Sequence, residues 1–473
     1  MDTELIVNLI ENKLKFIPVS DQKKLIRSLA QFILDANMPI FLLKGYAGTG
    51  KTSVIAALVR SLRELRINTV LMAPTGRAAK VLASYSELQA FTVHKKIYRQ
   101  KSMEEQSVFS LAPNMYKNTV FIVDEASMIS GNSYEQSIFG SGNLLEDMMT
   151  YIRNGTKCKV IIVGDSAQLP PVGFNLSPAL DINRLERYGN CMDMELKEVV
   201  RQANESGILF NATEIRKQIE ANDVRFPKFR TDFPDITSIT GTDLIETLSD
   251  AYAKYGQEET IVICRSNKRA NKYNEGIRNR VFFMEDEIVS GDRIMVVKNN
   301  YRLSKDMEEI DFIANGDMAT VRRIKKYQQR YGLHFADIIL EFPDYNNLEI
   351  ENKAILDTLS IESASLPAEM NQQLFYSLAE DYAHITNKRQ RYTAIKEDPF
   401  FNALQIKFAY AVTCHKSQGG QWECVFLDCP YFADDNLTFE DLRWFYTAIT
   451  RASKQLYLVN FDEKYFRQID KNN

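Results

Sequence analysis

Apolar residues in this chain come mostly in short unbroken runs, each followed by a polar cluster. PIFLLKG (39–45) leads into a glycine loop and TVLMAPTG (69–76) into Pro-Thr-Gly; TVFIVDEAS (119–127) ends in two acids and KVIIVGDSAQ (159–168) in Gly-Asp-Ser-Ala-Gln. Runs of this length, rich in Val, Ile and Leu and without alternation, predict strands buried on both faces of a parallel sheet. Helical periodicity lies between them, for instance in TSVIAALVRSLRELR (52–66). In such sheets ligands bind beyond the carboxyl ends of the strands, where all four polar clusters gather.

The second half repeats this style more loosely. TIVICRSN (260–267), LQIKFAYAVTCHKSQGG (404–420), WECVFLDC (422–429) and KQLYLVN (454–460) predict another buried sheet. Between the first two, IVSGDRIMVVKNNY (288–301), ANGDMATVRRIKKY (314–327) and ADIILEF (336–342) carry Gly-Asp turns and alternating strands, which predicts a small antiparallel barrel. The stretch 343–403 is polar and aromatic. It holds one amphipathic helix after Pro367, on which Leu374, Phe375, Leu378 and Tyr382 share a face.

Composition narrows the classes. A chain of 473 residues is too long for one core, so two to four domains are expected. A net charge of −4 excludes a general positive field, so any nucleic acid must be held in a local groove. The 6 cysteines include no CxxC pair, which predicts buried thiols in a reducing compartment and no zinc site. No apolar run approaches the roughly 18 residues of a membrane span, and the N-terminus does not read as a signal peptide. A cytoplasmic protein with no membrane partner is expected.

GYAGTGKT (45–52) matches G-x-x-x-x-G-K-[ST] between a predicted strand and a predicted helix. Gly45, Ala47, Gly48, Thr49, Gly50, Lys51, Thr52 and Ser53 are the candidate nucleotide contacts. Backbone N–H groups of this loop and the helix N-terminus suit phosphates, Lys51 reaches the β- and γ-phosphates, and Thr52 ligates Mg²⁺. Asp124 is the second Mg²⁺ anchor and Glu125 the base for a water. Gln168, past the fourth strand, can orient that water or sense the γ-phosphate. Arg201 in LKEVVRQ and Arg451 in FYTAITRASK are candidates for a transition-state arginine.

Taken in order, these stretches resemble the superfamily 1 helicases, most closely the 1B branch that is RecD-like and phage Dda-like. GYAGTGKT is similar to motif I, APTGRAAKVL to motif Ia, VDEAS to motif II and GDSAQLPPV to motif III. LKEVVRQ is similar to motif IV, TCHKSQGGQWECVFL to motif V and WFYTAITRASKQLYLV to motif VI. The resemblance implies an ATP- and Mg²⁺-dependent DNA helicase with two RecA-like domains. It assigns residues 1–97 and 119–190 to the first and 191–287 and 404–473 to the second. A β-hairpin wedge over 98–118 and an SH3-like barrel with a polar and helical extension over 288–403 are the insertions.

The same resemblance raises Arg201 and Arg451 to arginine fingers and gives Gln22 the task of reading adenine. It places Pro74, Thr75, Arg77, Thr92, His94 and Lys95 of the first domain along single-stranded DNA. Thr413, His415, Lys416 and Ser417 of the second do the same, and Gly419 and Gly420 let the backbone approach the γ-phosphate. TVHKK (92–96) and TCHKS (413–417) would then be counterparts on the two domains. Phe109 is the candidate stacking residue of the wedge.

Partners expected on this reading are single-stranded DNA, single-strand/duplex junctions and single-strand-binding or replication and repair proteins, with the chain a monomer. With 44 residues ahead of the P-loop, the extra N-terminal domain of larger RecD-like proteins is not expected. Three alternatives differ in class: a P-loop kinase or small-molecule NTPase, a DNA-stimulated motor subunit that does not unwind by itself, and an RNA helicase. The second sheet, with TCHKSQGG and AITRAS, argues against the first of these.

Overall fold

The computed structural model describes residues 2–100, 109–131, 139–199, 205–300, 313–432 and 436–467. The four apolar runs of the first half form β1 (Ile40–Gly45), β2 (Asn68–Ala73), β6 (Thr119–Val123) and β7 (Lys159–Gly164), with β3 (Ala90–Thr92), β4 (Tyr98–Gln100) and β5 (Phe109–Leu111) between the second and third. The four runs, β3 and β8 (Cys191–Leu196) make a six-stranded sheet of order β3-β2-β6-β7-β1-β8, every neighbour parallel, and β4 and β5 pair as a separate antiparallel hairpin. All of β6 is buried, as a strand covered on both faces requires. Because the strands are parallel, the P-loop after β1, Asp124 after β6 and Asp165 after β7 emerge on one edge.

The second half holds β9 (Ile236–Ile239), β10 (Thr260–Cys264), β11 (Arg293–Val296), β12 (Met318–Arg330), β13 (Leu333–Phe342), β14 (Leu348–Ile355), β15 (Leu404–Phe408), β16 (Ala411–Thr413), β17 (Trp422–Asp428) and β18 (Ala452–Val459). A second parallel sheet has the order β16-β10-β17-β18-β9, and β11 to β15 close a barrel. The fold is α/β with two parallel sheets and an inserted barrel.

Three sequence expectations shift. Cys191–Leu196, placed in the second unit by a boundary at 190, pairs with β1 on the edge of the first sheet. The run 404–420 does not form one element of the second sheet. Leu404–Phe408 closes the barrel against β11 and β14, and only Ala411–Thr413 joins β10. Leu404–Phe408 alternates apolar and polar residues as the other barrel strands do, and the chain turns at Ala409–Tyr410, where Tyr410 Oη donates to the barrel's Asp292 at 3.0 Å. The polar extension also contains a second helix, Lys388–Glu397.

The barrel is fastened to the second sheet by a buried ion pair. Arg278, on helix Asn267–Arg280, donates through Nε and Nη2 to the two oxygens of Asp292 at 2.8 and 3.0 Å. Asp292 is fully buried, and removing one partner of such a pair costs about 3–5 kcal/mol. Toward the first sheet the barrel makes lighter contacts: Lys80 Nζ donates to Pro343 O at 3.0 Å and faces Asp344 at 3.6 Å. No described helix is long and apolar enough to cross a membrane.

Candidate nucleotide cleft and strand-facing residues

The P-loop turns into helix Lys51–Glu64 through Gly48 at φ 76° and Gly50 at φ 81°, left-handed values that suit glycine. Lys51 Nζ folds back to donate to Gly45 O at 2.5 Å and Tyr46 O at 2.9 Å. Thr49 is fully buried, with its Oγ donating to Tyr46 O at 2.7 Å, so Gly45 and Thr49 brace the loop from behind. Ala47, Gly48, Gly50, Lys51, Thr52 and Ser53 line a cleft between the two sheets. Asp124, Glu125 and Gln168 line its first-sheet side, and Gly419, Gly420 and Arg451 its second-sheet side.

The acids are shaped by burial. Asp124 accepts the Glu125 N–H at 2.8 Å, and desolvation followed by the Glu125 charge pushes its pKa up to about 6, with Lys51 opposing. Glu125 has φ 52°, an uncommon value for a residue with a side chain and one found at functional turns. Burial likewise raises the pKa of Asp165, again against Lys51. The Gln168 side chain leaves its buried Oε1 with no partner among the described residues. Arg451, 5% exposed, donates to Thr447 O and Gly420 O, each at 3.1 Å, and to Thr450 Oγ1 at 3.3 Å.

Several predicted contacts are placed elsewhere. Gln22 is fully buried and does not line the cleft: its Nε2 donates to Thr49 O at 2.9 Å and its Oε1 accepts the Val19 N–H at 3.1 Å. Both ends of the amide are engaged, so it braces the P-loop where adenine reading was expected. Arg201 lies outside the described residues. Gly419 and Gly420 approach protein as well as the cleft: a Cβ on Gly419 would stand 2.8 Å from Thr75 Oγ1, and one on Gly420 2.4 Å from the Trp422 ring.

TVHKK and TCHKS occupy equivalent places. Thr92 ends β3 and Thr413 ends β16, the edge strands of their sheets, and each precedes a one-turn helix, Val93–Ile97 or Cys414–Ser417. Their side chains differ. Thr92 is buried and caps its helix by accepting the Lys95 N–H at 3.2 Å. Ser417 is fully buried and donates to Cys414 O at 2.7 Å, so both hydroxyls serve the fold. His94 packs its ring 4.9 Å from Phe139, and burial takes its pKa down to about 4, so it carries no charge for a phosphate. Desolvation of the His415 ring lowers its pKa, with the Glu440 charge opposing and the Arg265 and Lys416 charges adding to the fall. Lys416 donates to Asn315 Oδ1 of the barrel, and burial lowers its pKa to about 8.

In the first sheet, Thr75 caps helix Gly76–Ser86 by accepting the Ala78 N–H at 3.2 Å, next to Pro74. Arg77 points to the second sheet and not outward: its Nη2 donates to Gln421 O at 2.7 Å. Phe109 does not project. It is 6% exposed, with its ring 4.8 Å from that of Phe139, and it pairs with Gln100 at the far end of the β4–β5 ladder. An aromatic among polar neighbours in sequence was buried by a partner thirty residues away.

Other residues complete the cleft. Asp165 lines it directly after β7, and its place at the end of an apolar run is the signal that marks it in the sequence. Ile208 and Leu209, on helix Gly207–Glu220, line the cleft from above, and Arg216 of that helix stands 4.6 Å over the Tyr46 ring. Nothing in their local pattern marks them.

Residues 20–226 match the AAA domain family and residues 408–459 the UvrD-like helicase C-terminal domain. The ATP-dependent DNA helicase dda of Enterobacteria phage T4 is 24% identical over 88% of this chain and 93% of its own. The chain belongs to the superfamily 1B DNA helicases, RecD-like and phage Dda-like. An uncharacterized protein of Acanthamoeba polyphaga mimivirus is also similar, 23% identical over 90% of this chain and 97% of that one. A solved Pif1 helicase from Bacteroides, in complex with ADP-AlF3 and single-stranded DNA, is 14% identical and covers 96% of this chain and 95% of its own, at a TM-score of 0.47. As a member of this helicase family, the chain is an ATP-hydrolysing enzyme.

Proposed function

We propose that this helicase uses ATP to move along single-stranded DNA, 5′→3′, and to separate duplex at single-strand/duplex junctions. The observation that carries the reading is the cleft in which Lys51, Asp124, Glu125 and Gln168 of the first sheet face Arg451 of the second. Phosphoryl transfer needs little from a protein beyond positioning and charge, and these groups supply both. Lys51 leaves its two carbonyls for the β- and γ-phosphates. Glu125 takes a proton from the attacking water, and the unpartnered Gln168 Oε1 is an acceptor suited to holding that water's other hydrogen. Arg451 exchanges carbonyl partners for the transferring phosphoryl group, and Arg201 is proposed as a second finger.

Thr52 and Asp124 offer a hydroxyl and a carboxylate, hard oxygen donors of the kind Mg²⁺ requires, in the same cleft as Lys51. When bound there, Mg²⁺ would neutralise charge on the β- and γ-phosphates. A γ-phosphate gives Arg451 a contact that exists only while the cleft is closed, so hydrolysis releases the second sheet from the first. Pro74, Thr75 and Lys95 on one sheet, and Thr413, His415 and Lys416 on the other, would grip the strand in turn. The segment 98–118, of which 101–108 lie outside the described residues, is the proposed wedge, and the chain is proposed to act as a monomer with single-strand-binding or repair proteins as partners.

The test measures ATP hydrolysis with and without single-stranded DNA, then unwinding of 5′- and 3′-tailed duplexes. Hydrolysis should rise with DNA, vanish in Lys51→Ala, and drive unwinding of the 5′-tailed substrate. A Lys51→Ala variant that hydrolyses ATP at the parental rate overturns the cleft assignment. Unwinding of only the 3′-tailed duplex overturns the direction.

A further inference from the structure

One hydroxyl on the second sheet's side reaches the phosphate loop of the first. Tyr446 lies on helix Phe439–Ile449 and is 1% exposed. Its Oη donates to Asp165 Oδ2 at 2.7 Å and accepts the Ala47 N–H at 2.8 Å, so both capacities of the hydroxyl are used. Ala47 belongs to GYAGTGKT, and Asp165 directly follows β7, with its Oδ1 accepting the Ala167 N–H at 3.0 Å.

The next residue extends the same clip. Thr447 Oγ1 accepts the Leu169 N–H at 2.9 Å, and Thr447 O accepts Arg451 Nε at 3.1 Å. One turn of helix therefore touches the P-loop, the loop after β7 and the guanidinium that faces the cleft. Asp165 matters for a second reason. Its carboxylate is buried near Lys51, and the tyrosine hydroxyl occupies one of its oxygens.

We infer that Tyr446 is a positioning residue for ATP hydrolysis. Its hydroxyl sets the register of the helix against the P-loop and Asp165, and so fixes where Arg451 stands relative to a bound triphosphate. It touches no reacting atom. Phenylalanine would keep the ring in place while leaving the Ala47 N–H and Asp165 Oδ2 each short of a buried partner. The helix could then slide, and a displacement near 1 Å at a catalytic group costs heavily in rate while leaving ground-state binding nearly intact.

The inference rests on ATP hydrolysis in this cleft and is tested with Tyr446→Phe alone, Arg451→Ala alone and the two combined. Turnover, KM for ATP and melting temperature are measured at saturating single-stranded DNA. Tyr446→Phe should lower kcat about tenfold, the rate equivalent of one lost hydrogen bond to a charged group when its loss displaces Arg451. KM should stay within about twofold, because uniform binding is not the interaction removed. Added to Arg451→Ala, the same change should cost no further turnover, since it acts through that arginine. The inference is overturned by a kcat that does not fall, by an equal fall in both backgrounds, or by a lower melting temperature that accounts for the loss. A parent protein that hydrolyses no ATP overturns the reading of the cleft itself. A parent that does, with Tyr446→Phe unimpaired, overturns this inference alone.

Discussion

The guanidinium carbon of Arg77 stands 4.3 Å over the ring of Trp422, joining the helix after β2 to the strand that follows Gly419-Gly420-Gln421. Arg77 also donates to Gln421 O and lies 3.9 Å from Glu259. A residue in the motif expected to hold the strand thus ties the two sheets together.

Arg77→Ala should therefore leave the salt dependence of single-stranded DNA binding unchanged and destabilise the protein. The cation–π contact and the hydrogen bond together are worth about 1–2 kcal/mol. Binding isotherms across a salt series and a denaturant melt read the two effects separately. A slope about 0.7 shallower would mean that Arg77 leaves Trp422 for a phosphate when DNA binds.

Asp124 predicts opposite effects on stability and on function. Its pKa of about 6 lies above the ordinary 3.8, so between these values the folded state keeps a proton that the unfolded chain has lost. Its contribution to stability therefore falls as pH rises through that window and stays lost above it. Asp124→Asn removes the buried charge and should raise the melting temperature at pH 7, while abolishing Mg²⁺-dependent hydrolysis. In the parent, Mg²⁺ must displace the proton below about pH 6, so apparent Mg²⁺ affinity should drop as pH falls past that point. Mg²⁺ titrations of the ATPase from pH 5 to 8 check the sign.

Lys416 carries a testable proton. Burial holds its pKa at about 8 in the free protein, and a phosphate would restore the charge. Binding of single-stranded DNA should take up a proton above pH 8 and weaken as pH rises further. With about four phosphates neutralised, the slope of log K against log salt should lie near −3, and about 0.7 shallower in Lys416→Ala. The variant should also lose the proton uptake, which calorimetry in buffers of different ionisation heat detects.

Phe109 belongs to the fold. Its ring packs with Phe139, which also meets Tyr98 at 4.9 Å, and truncating a buried phenylalanine costs about 3–5 kcal/mol. Phe109→Ala should lower stability by an amount in that range, read by denaturant melting. Duplex unwinding per ATP should remain at the parental value in the protein that stays folded. A selective loss of unwinding with unchanged stability would restore the stacking role.

Local pattern was sufficient for much of this molecule. Strands buried on both faces need unbroken apolar runs, and parallel strands end on one edge, so IFLL, TVLMA, TVFIV and KVIIV announced both the first sheet and the edge that bears its chemistry. The P-loop was legible for a related reason: its glycines, lysine and threonine act through backbone positions a few residues apart, which the chain order itself specifies. The repeated Thr-x-His-Lys was legible as a repeat because the same edge-strand position recurs in the two sheets.

What chain order could not decide is where side chains over long separations spend their hydrogen bonds. Gln22 is spent on Thr49, Arg77 on Trp422, Lys416 on Asn315 and Phe109 on Phe139, and Tyr446 reaches Ala47 and Asp165 across hundreds of residues. Composition and periodicity report whether a position is apolar and how it repeats. They do not report which polar partner burial will supply, because that depends on how two sheets and a barrel close on one another. The sequence by itself determined the layers, the phosphate loop and the polar edge. Tertiary structure alone decided which polar residues face the cleft and which are consumed in holding it together, since a buried donor or acceptor must find its partner wherever packing places one.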